Sequence, residues 1–151
     1  MSVIVTDSGF GADRFDGETV TPASLADHPG NAALALDLPQ DTDVTALAAD
    51  LDRIALIRVA FPAFNDGRGF TVARRLRLAG FTGTLRAKGH VIADQYTMAR
   101  RAGFDEVEIT DDLAARQPAD QWRFRSDWQS HDYQARLRAR VVVQATSLAA
   151  E

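Results

Sequence analysis

Two clusters in this chain carry groups that could hold a charged ligand. The first is the run Phe61-Pro62-Ala63-Phe64-Asn65-Asp66-Gly67-Arg68-Gly69-Phe70. Its middle, Asn65, Asp66, Gly67, Arg68 and Gly69, joins a predicted strand to a predicted helix. Glycines allow close backbone approach, a helix start offers unpaired N–H groups, and Arg68 adds a planar pair of donors that matches an oxyanion. The second cluster is Arg86-Ala87-Lys88-Gly89-His90 at the end of the next strand. Strand alternation places Arg86 and Lys88 on one face, and His90 opens the following helix. Ligands of parallel α/β proteins sit at the C-terminal ends of strands. Arg68, Arg86, Lys88 and His90 are therefore expected to converge on sulfate, phosphate or a carboxylate. Each cluster also has a plainer reading. Asn65-Asp66-Gly67 suits a tight bend in which Asp66 bonds backbone groups. The basic strand end suits ion pairs to Asp37, Glu108 and Asp66.

A third cluster lies in the tail, where Trp122, Phe124, Trp128 and Tyr133 are interleaved with arginines. Aromatic residues beside Arg are common at protein interfaces, so these four are candidate partner-binding residues. The competing expectation is that they pack over the sheet. His90 and Asp94 have the i, i+4 spacing of two metal ligands on a helix, but no HExxH motif accompanies them, and no metal is assigned. The chain has no cysteine, which excludes disulfides, thiol catalysis and Cys-ligated clusters. There is no Walker loop, dinucleotide fingerprint or nucleophile elbow, so no cofactor and no catalytic residue is assigned.

These groups are positioned by a regular pattern of strands and helices. Residues 1–30 read as an irregular arm with a short strand at Val3-Ile4-Val5 and a short helix near residues 24–27. Strands are expected over residues 33–38, 54–61, 83–87 and 106–109. Helices are expected over residues 43–53, 70–79 and 91–102, with another short one starting at Asp111 or Asp112. This is a β-α-β-α-β-α-β order, the signature of a parallel sheet. A weak repeat, Ala79-Gly80-Phe81 and Ala102-Gly103-Phe104, marks two helix stops with glycine in the left-handed position.

Strand parity is more informative. Leu34, Leu36, Leu38, Ile57, Val59, Leu85, Ala87, Val107 and Ile109 form one uniformly apolar face. Asp37, Arg58, Arg86, Lys88, Glu106 and Glu108 fall on the other. A doubly wound sheet is apolar on both faces. The expected fold class is therefore α/β with parallel βα repeats, a half-barrel-like layer of four strands with helices mainly on one face. A flavodoxin-like open sheet is the alternative. The charged face must meet water, a second copy, a partner or the chain's own ends. In the tail, Arg136, Arg138 and Arg140 alternate with apolar residues, so an edge strand competes with a terminal helix.

The chain has 151 residues, enough for one domain, with residues 118–151 as a tail. A hydrophobic fraction of 46% is enough for a packed core. A net charge of -4 gives no reason to expect nucleic acid. No apolar run reaches the ~20 residues of a membrane span, and the N-terminus is not a signal peptide. A cytoplasmic location is expected. Lys88 is the one lysine against sixteen arginines, a bias that weakens any single surface Arg as a functional marker.

The stretches Phe64-Asn65-Asp66-Gly67-Arg68-Gly69-Phe70, Gly83-Thr84-Leu85-Arg86-Ala87-Lys88-Gly89, Asp94-Gln95, Arg101-Ala102-Gly103-Phe104 and Tyr133-Gln134 together resemble the bacterial domain-of-unknown-function family numbered 934. The resemblance runs over roughly residues 31–138. It implies genes neighbouring those of sulfite or nitrite reductase and adenylyl-sulfate reductase, and a label of oxidoreductase linked to sulfite reduction. It supplies no catalytic residue. On that basis the expected function is an accessory protein of assimilatory sulfate or sulfite reduction. Its partner would be sulfite reductase or another sulfur-assimilation enzyme. The alternatives are a small enzyme binding an oxyanion or phosphorylated ligand at the sheet edge, and a homodimer paired through the charged faces.

Overall fold

A computed structural model describes residues 2–30, 33–130 and 137. The arm is more ordered than its glycines suggest. It contributes strands β1 (Ser2–Thr6), β2 (Gly9–Gly11) and β3 (Glu18–Val20), then helix α1 (Pro22–Leu25). The repeating part follows as β4 (Leu34–Leu38), β5 (Ile54–Phe61), α2 (Arg68–Leu78), β6 (Thr84–Gly89), α3 (Tyr96–Ala102), β7 (Glu106–Thr110), α4 (Asp111–Arg116) and α5 (Ala119–Phe124). Among the described residues the strands form one seven-stranded sheet in the order β2-β1-β7-β6-β5-β4-β3. Five strands, β3 to β7, run parallel and in sequence order, while β1 pairs antiparallel with both β7 and β2.

That order decides between the two expected architectures. A doubly wound sheet reverses its strand order at a switch point, and here none occurs between β3 and β7. Crossovers of one hand, all progressing in one direction, leave their connections on the same face. Accordingly one core joins the apolar strand face (Leu36, Ile57, Leu85 and Val107 among them) to Leu25, Val72, Leu76, Tyr96, Ala99 and Trp122 of the helices. The charged face carries none of the helices α1 to α5. It is crossed instead by the arm between β2 and β3, which reaches the sheet through Asp13. The sheet is wider than the expected four strands because β1, β2 and β3 are built from the arm.

Parity survives a local irregularity. The β4–β5 register shifts between Leu34 and Ala35, so Leu34 pairs with Ile54 but Ala35 with Leu56. Ala55 is the extra residue of a bulge. In unbroken alternation Ile54 would share the face of Leu56 and Arg58; because Ala55 is unpaired, Ile54 falls on the opposite face and is buried in the core. The connection after β4 also differs from expectation. Two 3-10 turns, Val44–Leu47 and Leu51–Arg53, replace one helix. Asp43 does cap the first by accepting the Thr45 N–H, but the Ala48 and Asp50 amides close three-residue steps and the helix does not propagate. The helix expected from residue 91 likewise starts later, as a 3-10 turn at Ala93–Gln95 that leads into α3.

Both repeats end their helices as expected. Gly80 and Gly103 have φ of 100° and 116°, and the amides of Phe81 and Phe104 bond back to Leu76 and Ala99 at 3.0 and 3.1 Å, the six-residue closure of a Schellman stop. Gly89, at the end of β6, is more constrained. Its φ is 122°, and a Cβ there would stand 2.5 Å from the Phe61 carbonyl oxygen, whereas a Cβ on Gly80 would meet nothing. Gly80→Ala is therefore expected to cost ~1–2 kcal/mol from the left-handed conformation alone. Gly89→Ala is expected to cost at least ~3 kcal/mol, since strain and backbone overlap add. Urea unfolding of both variants checks the difference; equal losses would remove the close approach from the account.

Candidate functional site

The C-terminal strand edge does carry the expected residues, but the structure sorts them differently. Arg68 starts α2 and turns back on its own loop. Its Nε and Nη2 donate to the two Asp66 carboxylate oxygens at 2.9 and 2.7 Å, and its backbone N–H adds a third bond to Asp66. Those bonds hold the Asp66 carboxyl down at about 2. The Asp66 amide closes a turn onto the Ala63 carbonyl. Asn65-Asp66-Gly67 is therefore a braced bend, the plainer of the two expectations. Gly69 is needed for packing, because a Cβ there would stand 2.5 Å from the Phe61 ring.

Arg86 is withdrawn further. Its side chain is 4% exposed, which for an ion is tolerable only with every strong donor engaged. Nε donates to Glu106 at 2.8 Å, Nη1 to Asp13 at 2.9 Å and Glu108 at 3.1 Å, and Nη2 to Asp13 at 3.0 Å. Burial works against the guanidinium charge, but the bonds to Asp13 and Glu106 override it and raise the arginine pKa. On the neighbouring strand Arg58 sits opposite Arg86 in the β5–β6 register and holds Asp37 with two N–H groups. Across the strands the row reads Asp37, Arg58, Arg86, Glu106, two arginines side by side with a carboxylate at each flank. The expected convergence of Arg68 and Arg86 on one ligand is corrected: each is neutralised by the chain's own carboxylates.

Lys88 and His90 remain at the edge. Both are exposed, and neither side chain makes an ion pair or hydrogen bond among the described residues. Gly89 turns sharply between them, and they line two different clefts. Lys88 faces a groove of about 450 Å³ floored by Leu38, Pro39, Ala60, Phe61 and Pro62. His90 lines a cleft of about 280 Å³ with Phe64, Thr110, Leu113 and Arg116. Arg116 and Thr110 were not singled out in the sequence, since α4 reads only as a short polar helix. His90 precedes the 3-10 turn, so it shares no helical face with Asp94. That carboxylate instead pairs with Arg125 at 3.1 Å.

The tail residues also separate. Trp122 is 0% exposed; it donates Nε1–H to the Gln117 carbonyl at 3.0 Å and packs edge-on to Tyr96. It is a core residue, which corrects its assignment as a partner anchor. Trp128 is half-buried beneath the stacked guanidinium of Arg100 and donates to Asp7 at 3.3 Å. Asp7 accepts from Tyr96 at 2.6 Å as well and ties the β1–β2 hairpin to α3. Phe124 is 75% exposed. Tyr133 and the alternating stretch after it, Leu137 apart, lie outside the described residues.

The clamp around Arg86 makes a pH-dependent prediction. Arg86→Met leaves Asp13, Glu106 and Glu108 without their counter-charge, and a loss of ~3–5 kcal/mol is expected at neutral pH. In the parent chain the Arg86 bonds lower the Asp13 pKa. That contribution is complete above the unfolded carboxylate pKa and is lost as pH falls through the folded value. In the variant the crowded carboxylates bind protons more readily folded than unfolded, so its deficit should shrink as pH drops from ~7.5 to ~5. Denaturant titrations at the two pH values test this; a deficit independent of pH would contradict it.

No curated protein matches the chain. The family model for "Bacterial protein of unknown function" matches residues 35–143. That span covers the parallel strands from Ala35 of β4 to β7, the Asp66–Arg68 bend, the Arg86 strand and the tail as far as residue 143. The chain belongs to the DUF934 family of bacterial proteins of unknown function.

Proposed function

We propose that this protein is an accessory factor that acts by docking on an enzyme of sulfite or sulfate reduction, with sulfite reductase as the first partner to test. The reading is supported by the distribution of groups over the surface. The arginines best placed to grip an oxyanion are held by Asp66 and by Asp13, Glu106 and Glu108. In contrast, the helical face exposes large apolar side chains beside arginines. Met98 is 57% exposed and lines a groove of about 440 Å³ between α2 and α3 with Phe70, Arg74 and Arg101. Arg125 bonds Asp94, and its carbonyl accepts from Thr97, which sets the end of α5 with Phe124 against α3. The single observation that carries the proposal is this exposed Met98–Phe124 region among Arg74, Arg101 and Arg125. Exposed aromatic and Met side chains with arginine at the rim are typical of interface cores.

The sulfur partner comes from the gene neighbourhood that the family resemblance implies. No helix among the described residues is long and apolar enough to cross a membrane, and docking in the cytoplasm suits the reading. Met98→Asp and Phe124→Ser change exposed positions, so both variants should keep the parent unfolding midpoint. Each is expected to weaken binding to purified sulfite reductase by at least ~10-fold, as loss of an interface hot spot does. Biolayer interferometry with the full chain reads this directly. Undiminished binding by both variants would remove the helical face from the proposal, and no binding by the parent chain at ~10 μM would remove sulfite reductase.

A further inference from the structure

We infer that the cleft between the ends of β6 and β7 and helix α4 binds a small planar anion, a single aromatic or heteroaromatic ring bearing a carboxylate. Phe64, Ile92 and Leu113 supply its apolar walls, and His90, Thr110 and Arg116 its polar ones. At about 280 Å³ it is the size of one ring with a substituent, near the lower end of the ~300–1,000 Å³ of ligand pockets.

Three features set this cleft apart. Phe64 is 59% exposed on a backbone that is held in place. Its carbonyl accepts Gln95 Nε2–H at 2.6 Å, the next residues are braced by Asp66 and Arg68, and its ring stands edge-on to His90 at 6.5 Å. An aromatic side chain held in the open is a preformed stacking surface, and a ligand placed on it loses little to ordering the protein. Second, Arg116 makes no ion pair or hydrogen bond among the described residues, not even with Asp112 one turn earlier. Arg58, Arg68, Arg77, Arg86 and Arg125 each hold a carboxylate, whereas Arg116, like Arg14 and Arg74 at other clefts, keeps its guanidinium available for one. Third, the polar groups around it are selectively occupied. Gln117 spends its side-chain oxygen on the Ala93 amide and its carbonyl on Trp122, which makes it part of the frame. The Thr110 hydroxyl accepts the Leu113 amide and keeps its own hydrogen to donate. A carboxylate can take the two N–H groups of Arg116 in parallel while its ring lies on Phe64. Inorganic sulfate or phosphate would lose water to three apolar walls and gain one arginine, a poor exchange.

Two-dimensional NMR of the full chain with benzoate as the probe tests the assignment. Benzoate is expected to shift the amides of Phe64, His90, Thr110 and Gln117 with Kd on the order of 1 mM, as suits so small a ligand. Arg116→Gln and Phe64→Ala, both at exposed positions, should each weaken it by ~10-fold without moving the thermal midpoint. Phosphate and sulfate at equal concentration should shift none of these amides. Three results would overturn the inference: no shifts at ~10 mM benzoate, unchanged affinity in both variants, or phosphate or sulfate binding as tightly as benzoate. Met98→Asp and Phe124→Ser should leave benzoate binding intact, which separates this cleft from the docking face.

Discussion

The structure depends on how a buried arginine is neutralised. Arg86 lies at the middle of β6 on the face opposite helices α1 to α5, and its guanidinium is held by Glu106 and Glu108 of the next strand and Asp13 of the N-terminal arm. An ion so buried is stable only when its donors are satisfied. Asp13 supplies two of the four bonds, so the arm is an integral part of the sheet. Those contacts carry residues 12–17 across the face before the chain enters β3. The excess negative charge around Arg86 is moderated by Arg58 on the adjoining strand, itself tied to Asp37.

This internal neutralisation also shapes the functional surface. Charges that could have converged on a ligand are used to close the open face and to brace the bend before α2. The basic groups left over, Lys88, His90 and Arg116, are distributed around Gly89, whose left-handed backbone divides the edge into two clefts. An edge of this kind suits ligands that combine apolar bulk with one anionic group better than it suits a compact dianion. The helical face meanwhile presents Met98 and Phe124, side chains whose exposure costs solubility without serving the core.

Much of the framework could be read from side-chain alternation. Two-residue parity separated the apolar from the charged set in β4, β5, β6 and β7, and it implied helices on one face. It could not anticipate the Ala55 bulge, because one inserted residue leaves both flanking stretches looking regular. The strands of the arm were hidden for another reason. Gly9–Gly11 has no strand propensity of its own and is a strand because β1 is fixed beside β7. The site was less legible still. Asp13 and Arg86 are 73 residues apart, and nothing in either neighbourhood signals the other. Trp122 carries the composition of an interface residue, yet Tyr96 and the Gln117 carbonyl provide it with a buried partner for each of its two characters. The family resemblance covered the right part of the chain and, by its nature, carried no chemistry.

The strand order has a consequence for how the molecule is assembled. From β4 to β7 each strand pairs with its immediate predecessor, so pairing can advance along the chain with short loops to close. The N-terminal hairpin is the exception: among the described strands β1 comes first along the chain, but its neighbour β7 comes last. Until then β1 and β2 have only each other, and a lone two-stranded hairpin is marginal in water. When β7 forms, its outer edge stays unpaired until the hairpin returns, an open template for another chain. Completion of the sheet is therefore a late, long-range closure in which the N-terminal hairpin seals the outer edge of β7, with the Asp13–Arg86 contact formed in the same step.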